Sequence, residues 1–282
     1  MESNSFLIAL VLLAALLHAS WNALVRIGGD RLIVLAAVNF TGTMIGATLI
    51  GFLPMPEPAA WPYLALSVVL HSGYYFYLLR AYDRGELIQV YPLARGSAPL
   101  LISLGGLVFA GETLGVAGSI GVVLTSLGVI GLAFERGSAW RNGSAVVPAL
   151  ITSIWIAAYS VTDGLGGRLS GNVLSYICWL SFLDGWPIVI YTVIARRHGI
   201  IPYLQSNWKP CIGGGILSMS AYGLVIFAMS LGAMGMVSAL RETSVIMAAV
   251  IGIFWLKEKV SVIRISAILM VVCGVMIMQI NG

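Results

Sequence analysis

Apolar runs of about 20 residues follow one another along the chain, bounded by Gly, Pro or charge, and they constrain its fold more than any other feature. At 1.5 Å of rise per residue, about 20 residues in a helix cross the roughly 30 Å of hydrocarbon in a bilayer. About ten such runs are present, with approximate limits 6–26, 32–53, 61–82, 87–109, 115–134, 145–164, 173–194, 210–231, 235–256 and 261–280. The longest connector, Ala195 to Lys209, reads as a short loop, so no separate soluble domain is expected. The first run has neither a basic front nor a small-residue cleavage site and is read as a span rather than a signal peptide. Alternating-polarity segments of about ten residues, the mark of an outer-membrane barrel, are absent from the sequence. The expected fold class is an all-α polytopic membrane protein.

Composition agrees. Of 282 residues, 59% are hydrophobic and 9% charged, with mean hydropathy +0.97. Soluble domains carry about 25% charged residues, so this chain lacks the polar surface to remain in water. Fifteen Lys and Arg against eleven Asp and Glu give a net charge of +4, spread along the chain without the basic face that binding to nucleic acid requires. Cys178, Cys211 and Cys273 are widely spaced within apolar segments, unlike a metal site or a disulfide framework.

The basic residues fall on one side. If the chain crosses ten times, the termini and even-numbered connectors share a face that carries only Arg168. Twelve others belong to the odd-numbered connectors and adjacent helix ends: Arg26, Arg31, Arg80, Arg84, Arg136, Arg141, Arg196, Arg197, Lys209, Lys257, Lys259 and Arg264. Loops rich in Lys and Arg stay cytoplasmic, which predicts that both termini face outward, on the periplasmic side of an inner or plasma membrane.

The halves also resemble each other. An offset of 146 residues sets Arg95 on Arg241, Gly106 on Gly252, Glu112 on Glu258, Val116 on Val262, Gly128 on Gly274 and Val129 on Val275. Two of these matches involve charged residues, which are rare here. The chain then divides into repeats at 1–137 and 143–282, each of five spans. Because five is odd, the second repeat enters the membrane from the opposite side, giving inverted repeats of the kind on which secondary transporters are built, with a substrate site near the midplane.

The turn Gly111-Glu112-Thr113-Leu114 between spans four and five, with its shifted counterpart Leu256-Lys257-Glu258-Lys259 between nine and ten, resembles the drug/metabolite transporter superfamily and its EamA branch. The resemblance covers essentially the whole chain, although Lys257 stands where that family often has Gly. It implies a carrier working by alternating access, with a central cavity often lined by spans one, three, four, six, eight and nine. Members move amino acids, nucleotide sugars, phosphorylated metabolites, choline or drugs, so the fold does not select the substrate.

Residues that are expensive in lipid mark the candidate site. Arg95 lies about nine residues into span four and Arg241 about six into span nine, entering from opposite faces. Either they bind an anion, for which the guanidinium fork is suited, or they are structurally satisfied, Arg241 by Asp184 or Glu242 and Arg95 by snorkelling along Tyr91. Glu242 and Asp184 are the candidate proton carriers. On a regular helix Glu242 points about 100° away from Arg241, and Gly185-Trp186-Pro187 suggests a break in the helix that carries Asp184. His18, Trp21 and Asn22 on span one repeat the i, i+3, i+4 spacing of His71, Tyr74 and Tyr75 on span three, which puts each triad on one helix face. These triads form either a cavity wall or interhelical packing. Tyr91, Tyr159 and Tyr222 add polar-tipped aromatics. Trp61 and Trp208 begin spans and read as interface anchors. The small-residue face of span five, with Gly115, Gly118, Gly121 and Gly128, reads as scaffold or as a dimer contact.

No phosphate-cradling loop, paired-His metal motif or placed nucleophile is visible in the sequence, so neither an enzyme nor a cofactor or metal is expected. The expected partners are a small-molecule substrate, the lipid bilayer and protons, in a monomer or homodimer. The leading expectation is a carrier of an amino acid or related carboxylate, with export favoured. A phosphate, phosphonate or nucleotide-linked cargo and a cationic amine or drug are the alternatives.

Overall fold

The computed structural model describes residues 2–25, 30–84, 87–137, 146–247 and 261–279. Ten α-helices account for most of them: α1 Glu2–Val25, α2 Arg31–Leu49, α3 Trp61–Arg84, α4 Leu87–Ala110, α5 Val116–Gly131, α6 Val146–Leu169, α7 Val173–Ala195, α8 Ile200–Leu231, α9 Met234–Arg241 and α10 Val262–Met278. No strand occurs among the described residues. Seven of these helices (α1, α2 and α4 to α8) are long and apolar enough to cross a membrane, and α10 is a shorter apolar helix. The Leu256-Lys257-Glu258-Lys259 turn, Gly252 and the end of the ninth expected span lie outside the described residues, as do Arg26 and Arg141 of the charge count.

Local chemistry sets the ends. The Asp30 carboxylate caps α2 by accepting from the Leu32 and Ile33 amides at 3.0 and 3.3 Å, Asn172 caps α7 through the Ser175 amide, and Ser261 caps α10 through that of Arg264. Gly111 after α4 and Gly171 after α6 adopt φ of +66° and +69°, which other residues reach only with strain.

Two expectations are corrected. Helix α7 is not broken at Gly185-Trp186-Pro187, because it runs unbroken through Pro187 to Ala195. The connector after it is not a loop throughout. Helix α8 begins at Ile200, and its first turns meet the membrane-crossing part at Asn207, where φ −127° and ψ 16° mark a kink.

The helices pair in a regular way: α2 packs on α7, α4 on α9 and α5 on α10, while α1 packs on α8 as α3 does on α6. Glycines let backbones meet at these crossings. Gly46 on α2 lies against the Cys178 carbonyl of α7, and Gly185 on α7 against the Asn39 carbonyl of α2. Between α5 and α10, a Cβ on Gly121 would stand 2.6 Å from the Gly274 carbonyl oxygen, and one on Gly128 2.9 Å from that of Ala267. Gly121 and Gly128 of the small-residue face of α5 are thus covered by α10, while Gly118 faces Met236 of α9 and Gly115 meets nothing within 4 Å. Outside, Phe109, Val116, Ile194, Val262 and Leu269 are exposed, a surface suited to acyl chains rather than water.

Polar clasps close the ends. Arg168, at the end of α6, donates to the Met229 carbonyl at 2.9 and 2.7 Å and to that of Gly232 at 2.8 Å, and it pairs with Glu112. The same Glu112 accepts from the Met234 amide at the start of α9 at 2.8 Å, and Glu57 N–H donates to the Ser170 carbonyl at 3.0 Å. One guanidinium therefore satisfies the carbonyl end of α8 while its partner carboxylate satisfies the amide end of α9. At the opposite end, Arg196 donates to Asp30 at 2.8 Å. Burial pushes the Asp30 carboxyl upward, but the Arg196 guanidinium and the two capping amides outweigh it and hold it below its ordinary value.

The α5–α10 contact is testable. Gly121→Ala drives a methyl into the Gly274 carbonyl and the Met278 side chain and should lower stability by about 1–3 kcal/mol. Gly131→Ala, which meets nothing within 4 Å, should be neutral or slightly stabilising. Thermal unfolding of the two variants in detergent is the measurement.

Candidate functional site

Three charges meet where α4 and α9 pack. Arg95 Nη2 lies 2.8 Å from Glu242 Oε1, and Arg241 Nε lies 3.8 Å from the same oxygen. All three are buried: Arg95 is 6% exposed, Arg241 2% and Glu242 0%. The sequence argument that Arg241 and Glu242 diverge assumed a regular helix, and the chain is not regular there. Helix α9 stops at Arg241, and the next turns tighten to three-residue bonds, Glu242 N–H to Ala239 and Thr243 N–H to Leu240, both at 3.1 Å. That tightening lets adjacent residues share a partner. Of the structural alternative, Glu242 does approach Arg241, but loosely, and Arg95 is held closely by Glu242. The cluster carries two cations and one anion. The Nη2 of Arg241 is buried without a hydrogen-bond partner.

Beside the cluster lies a cavity of about 150 Å³. Its wall includes Arg95, Arg241, His18, Trp21, His71, Tyr74, Tyr75, Tyr159, Tyr222 and Asp184. Asn22, Tyr91 and Glu242 stand behind it. The Asn22 amide donates to the His18 carbonyl at 2.8 Å, and the Tyr91 hydroxyl lies 3.4 Å from His18 Nε2. Besides the six spans that the family resemblance implied, α2 and α7 contribute, through Leu35, Val38, Asn39 and Gly42 and through Ile177, Leu180, Ser181 and Asp184. None of the lining residues belongs to α5 or α10.

The two triads face the cavity with different chemistry. His18 Nδ1 accepts from Trp21 Nε1 at 3.2 Å, leaving Nε2 towards Tyr91. His71 Nδ1 lies 3.0 Å from the Ser67 carbonyl, which can only accept, so this nitrogen carries the proton. The His71 ring stacks on Tyr159 with centroids 4.0 Å apart, and Tyr222 and Tyr74 meet Tyr159 edge-on at 5.8 and 5.5 Å. Tyr75 Oη stands 2.8 Å from Asn39 Oδ1 and 3.1 Å from Asp184 Oδ2, two acceptors competing for one proton.

Sequence reasoning missed Asp163. It is fully buried and accepts from the Tyr222 hydroxyl at 2.5 Å and from Tyr176 at 3.1 Å, fixing the rim of the aromatic wall. Its signal, an acid in an apolar run, was present. The expected limit of span six at 164 made it look like a span end, whereas α6 continues to Leu169. Ser67 and Asn39 were missed as well, and nothing in their local sequence sets them apart.

Residues 143–280 match the family model described as "EamA-like transporter family". Among curated proteins, none matches the chain. Solved structures do, in 28 chains. One, titled "Crystal structure of protein", superposes with TM-score 0.78 over 98% of this chain and 97% of its own, at 18% identity, which establishes a shared fold.

Removing one member of the buried cluster leaves a charge without its partner. Glu242→Gln and Arg95→Gln should each destabilise the protein by about 3–5 kcal/mol. The double variant should cost less than their sum, because its two amides neutralise each other. Thermal unfolding of the three variants decides it, and strict additivity would mean that the two groups do not interact.

Proposed function

Starting from the membership of this chain in the EamA-like transporter family, which the match of residues 143–280 shows, we propose that it is a secondary transporter for an amino acid or related small carboxylate. The observation that carries the reading is the unpartnered guanidinium edge of Arg241 on the cavity wall, in a cluster with one cation in excess. A buried cation without a counter-ion is costly, and an anionic cargo relieves that cost. Glu242 holds Arg95 at 2.8 Å and Arg241 only at 3.8 Å, so the Arg241 fork is the less engaged of the two and the one assigned to the cargo. One fork suits a carboxylate. A dianionic phosphate or phosphonate would call on both.

The transport cycle proposed is alternating access between two inverted repeats, 1–137 and 143–282. Helix pairing supports it: exchanging each helix with the one five positions away turns α1–α8 into α6–α3 and leaves α2–α7, α4–α9 and α5–α10 unchanged. The glycine contacts support it too. The 146-residue offset carries 121 to 267 and 128 to 274, so the Gly121–Gly274 and Gly128–Ala267 contacts exchange with each other.

Export is the direction proposed. The lining spans both halves of the bundle, nearer the first and third connectors on α1, α2 and α4 and mostly nearer the sixth and eighth on α7 and α8, and the Arg196 and Arg168 clasps tie both ends. For proton coupling Asp184 is better placed than Glu242, because it faces the cavity whereas Glu242 is sealed between guanidiniums.

Three outcomes are expected. Arg241→Lys, which keeps the charge and loses the fork, should weaken amino-acid binding by about tenfold and more than Arg95→Lys does, measured calorimetrically. Equal losses in both variants would favour the phosphate reading, and no loss in either would end the anion reading. Asp184→Asn should abolish pH-driven accumulation in liposomes yet leave exchange running. Reporter fusions after Gly282 should behave as periplasmic in a bacterial host, and a cytoplasmic C-terminus would overturn the proposed orientation.

A further inference from the structure

The cavity has a second pole. Asp184 is 9% exposed, faces the cavity, and has its Oδ1 buried without a hydrogen-bond donor. Its Oδ2 competes with Asn39 Oδ1 for the one Tyr75 hydroxyl proton. The neighbour that would complete it, His71, does not: His71 Nδ1 stands 4.0 Å from Asp184 Oδ1, beyond hydrogen-bond reach, and directs its proton at the Ser67 carbonyl instead. A buried carboxylate oxygen without a donor calls for a cation, just as the bare Nη2 of Arg241 calls for an anion.

Arg241 and Asp184 line one cavity, as does Arg95, whose Nε and Nη2 also lack a hydrogen-bond partner, but the cationic pole and Asp184 belong to different neighbourhoods. Arg241 sits with Glu242 and Arg95, whereas Asp184 sits with Tyr75 and His71. The stacked rings of His71 and Tyr159 also line this cavity. Aromatic faces of this kind pack methylene groups and tolerate an ammonium nearby.

Resting on the carboxylate reading above, we propose that the cargo carries a cationic group several bonds away from its carboxylate. The carboxylate sits on Arg241, the distal amine on Asp184, and the chain between them lies along the His71–Tyr159 rings. A basic amino acid has this form. In a neutral amino acid the amine is fixed beside the carboxylate, so it leaves Asp184 unmet. The proton assigned to Asp184 and the distal amine then take turns at one carboxylate, the amine with cargo aboard and the proton without it.

Calorimetric binding to the full-length purified protein tests this with lysine, ornithine and arginine against norleucine, which matches lysine in length but ends in a methyl group, and cadaverine, which has both amines and no carboxylate. The wild-type protein should bind at least one basic amino acid on the order of tenfold more tightly than norleucine and than cadaverine. Asp184→Asn, a near-isosteric change, should bring that ratio to about one, whereas Arg241→Lys should weaken the basic amino acid and norleucine together. The proposal is overturned if the wild-type protein binds none of the three more tightly than norleucine, a comparison that needs no variant to fold, or if Asp184→Asn keeps the preference. If Arg241→Lys changes neither affinity, the anion seat itself fails, which is a different result from losing the amine seat alone.

Discussion

The ion pair between Arg95 and Glu242, buried between two helices, is the interaction on which the rest of the site depends. Charge in the middle of an apolar bundle is costly unless paired, and the pairing of Arg95 with Glu242 requires α4 and α9 to cross at one level. That crossing brings Arg241 to the cavity wall and holds its guanidinium there. The scaffold is built for such precision: α5 and α10 meet through glycines and contribute nothing to the cavity lining, while α1, α3, α6 and α8 supply its aromatic wall. A network of this kind specifies position more than it adds stability, since an apolar substitute would serve the core as well.

Much of this was legible in the sequence because the membrane makes both its rules and its exceptions conspicuous. A span must be apolar throughout, so the ten runs stand out, and an Arg or His within one stands out against them. Ten of the thirteen side chains singled out as site candidates line one cavity in the structure. What was not legible depends on backbone detail and on neighbours distant in sequence. The tight turn after Arg241 has no sequence marker, yet it decides that Glu242 lies within reach of both guanidiniums. Pro187 predicts a break in isolation, but α2 packs along α7 and the helix continues. Asp163 lay at an expected boundary, where a carboxylate needs no explanation.

The histidines show how local context divides equivalent sequence patterns. Both triads share one spacing, and a reading of either alone would give both the same role. In the structure His18 is engaged by Trp21 and approached by Tyr91, while His71 gives its proton to its own helix and its ring face to Tyr159. His18 is therefore tied to Tyr91 of the helix that carries Arg95, and His71 to the aromatic wall of the cavity.

Gly96 explains why the charges do not cancel. The offset that sets Arg95 on Arg241 sets Gly96 on Glu242, so a perfectly duplicated site would hold two acids for its two bases and be neutral. It cannot be so built, because a Cβ at position 96 would stand 2.7 Å from Ile130 Cγ1 and 2.8 Å from the Ile130 amide, where α4 presses on α5. Close packing of α4 on α5 thus forbids a side chain at the position that the offset sets on Glu242. The carboxylate that would balance Arg241 has no room at position 96, and the cluster keeps one cation in excess because α4 and α5 are packed too closely there to hold a second acid.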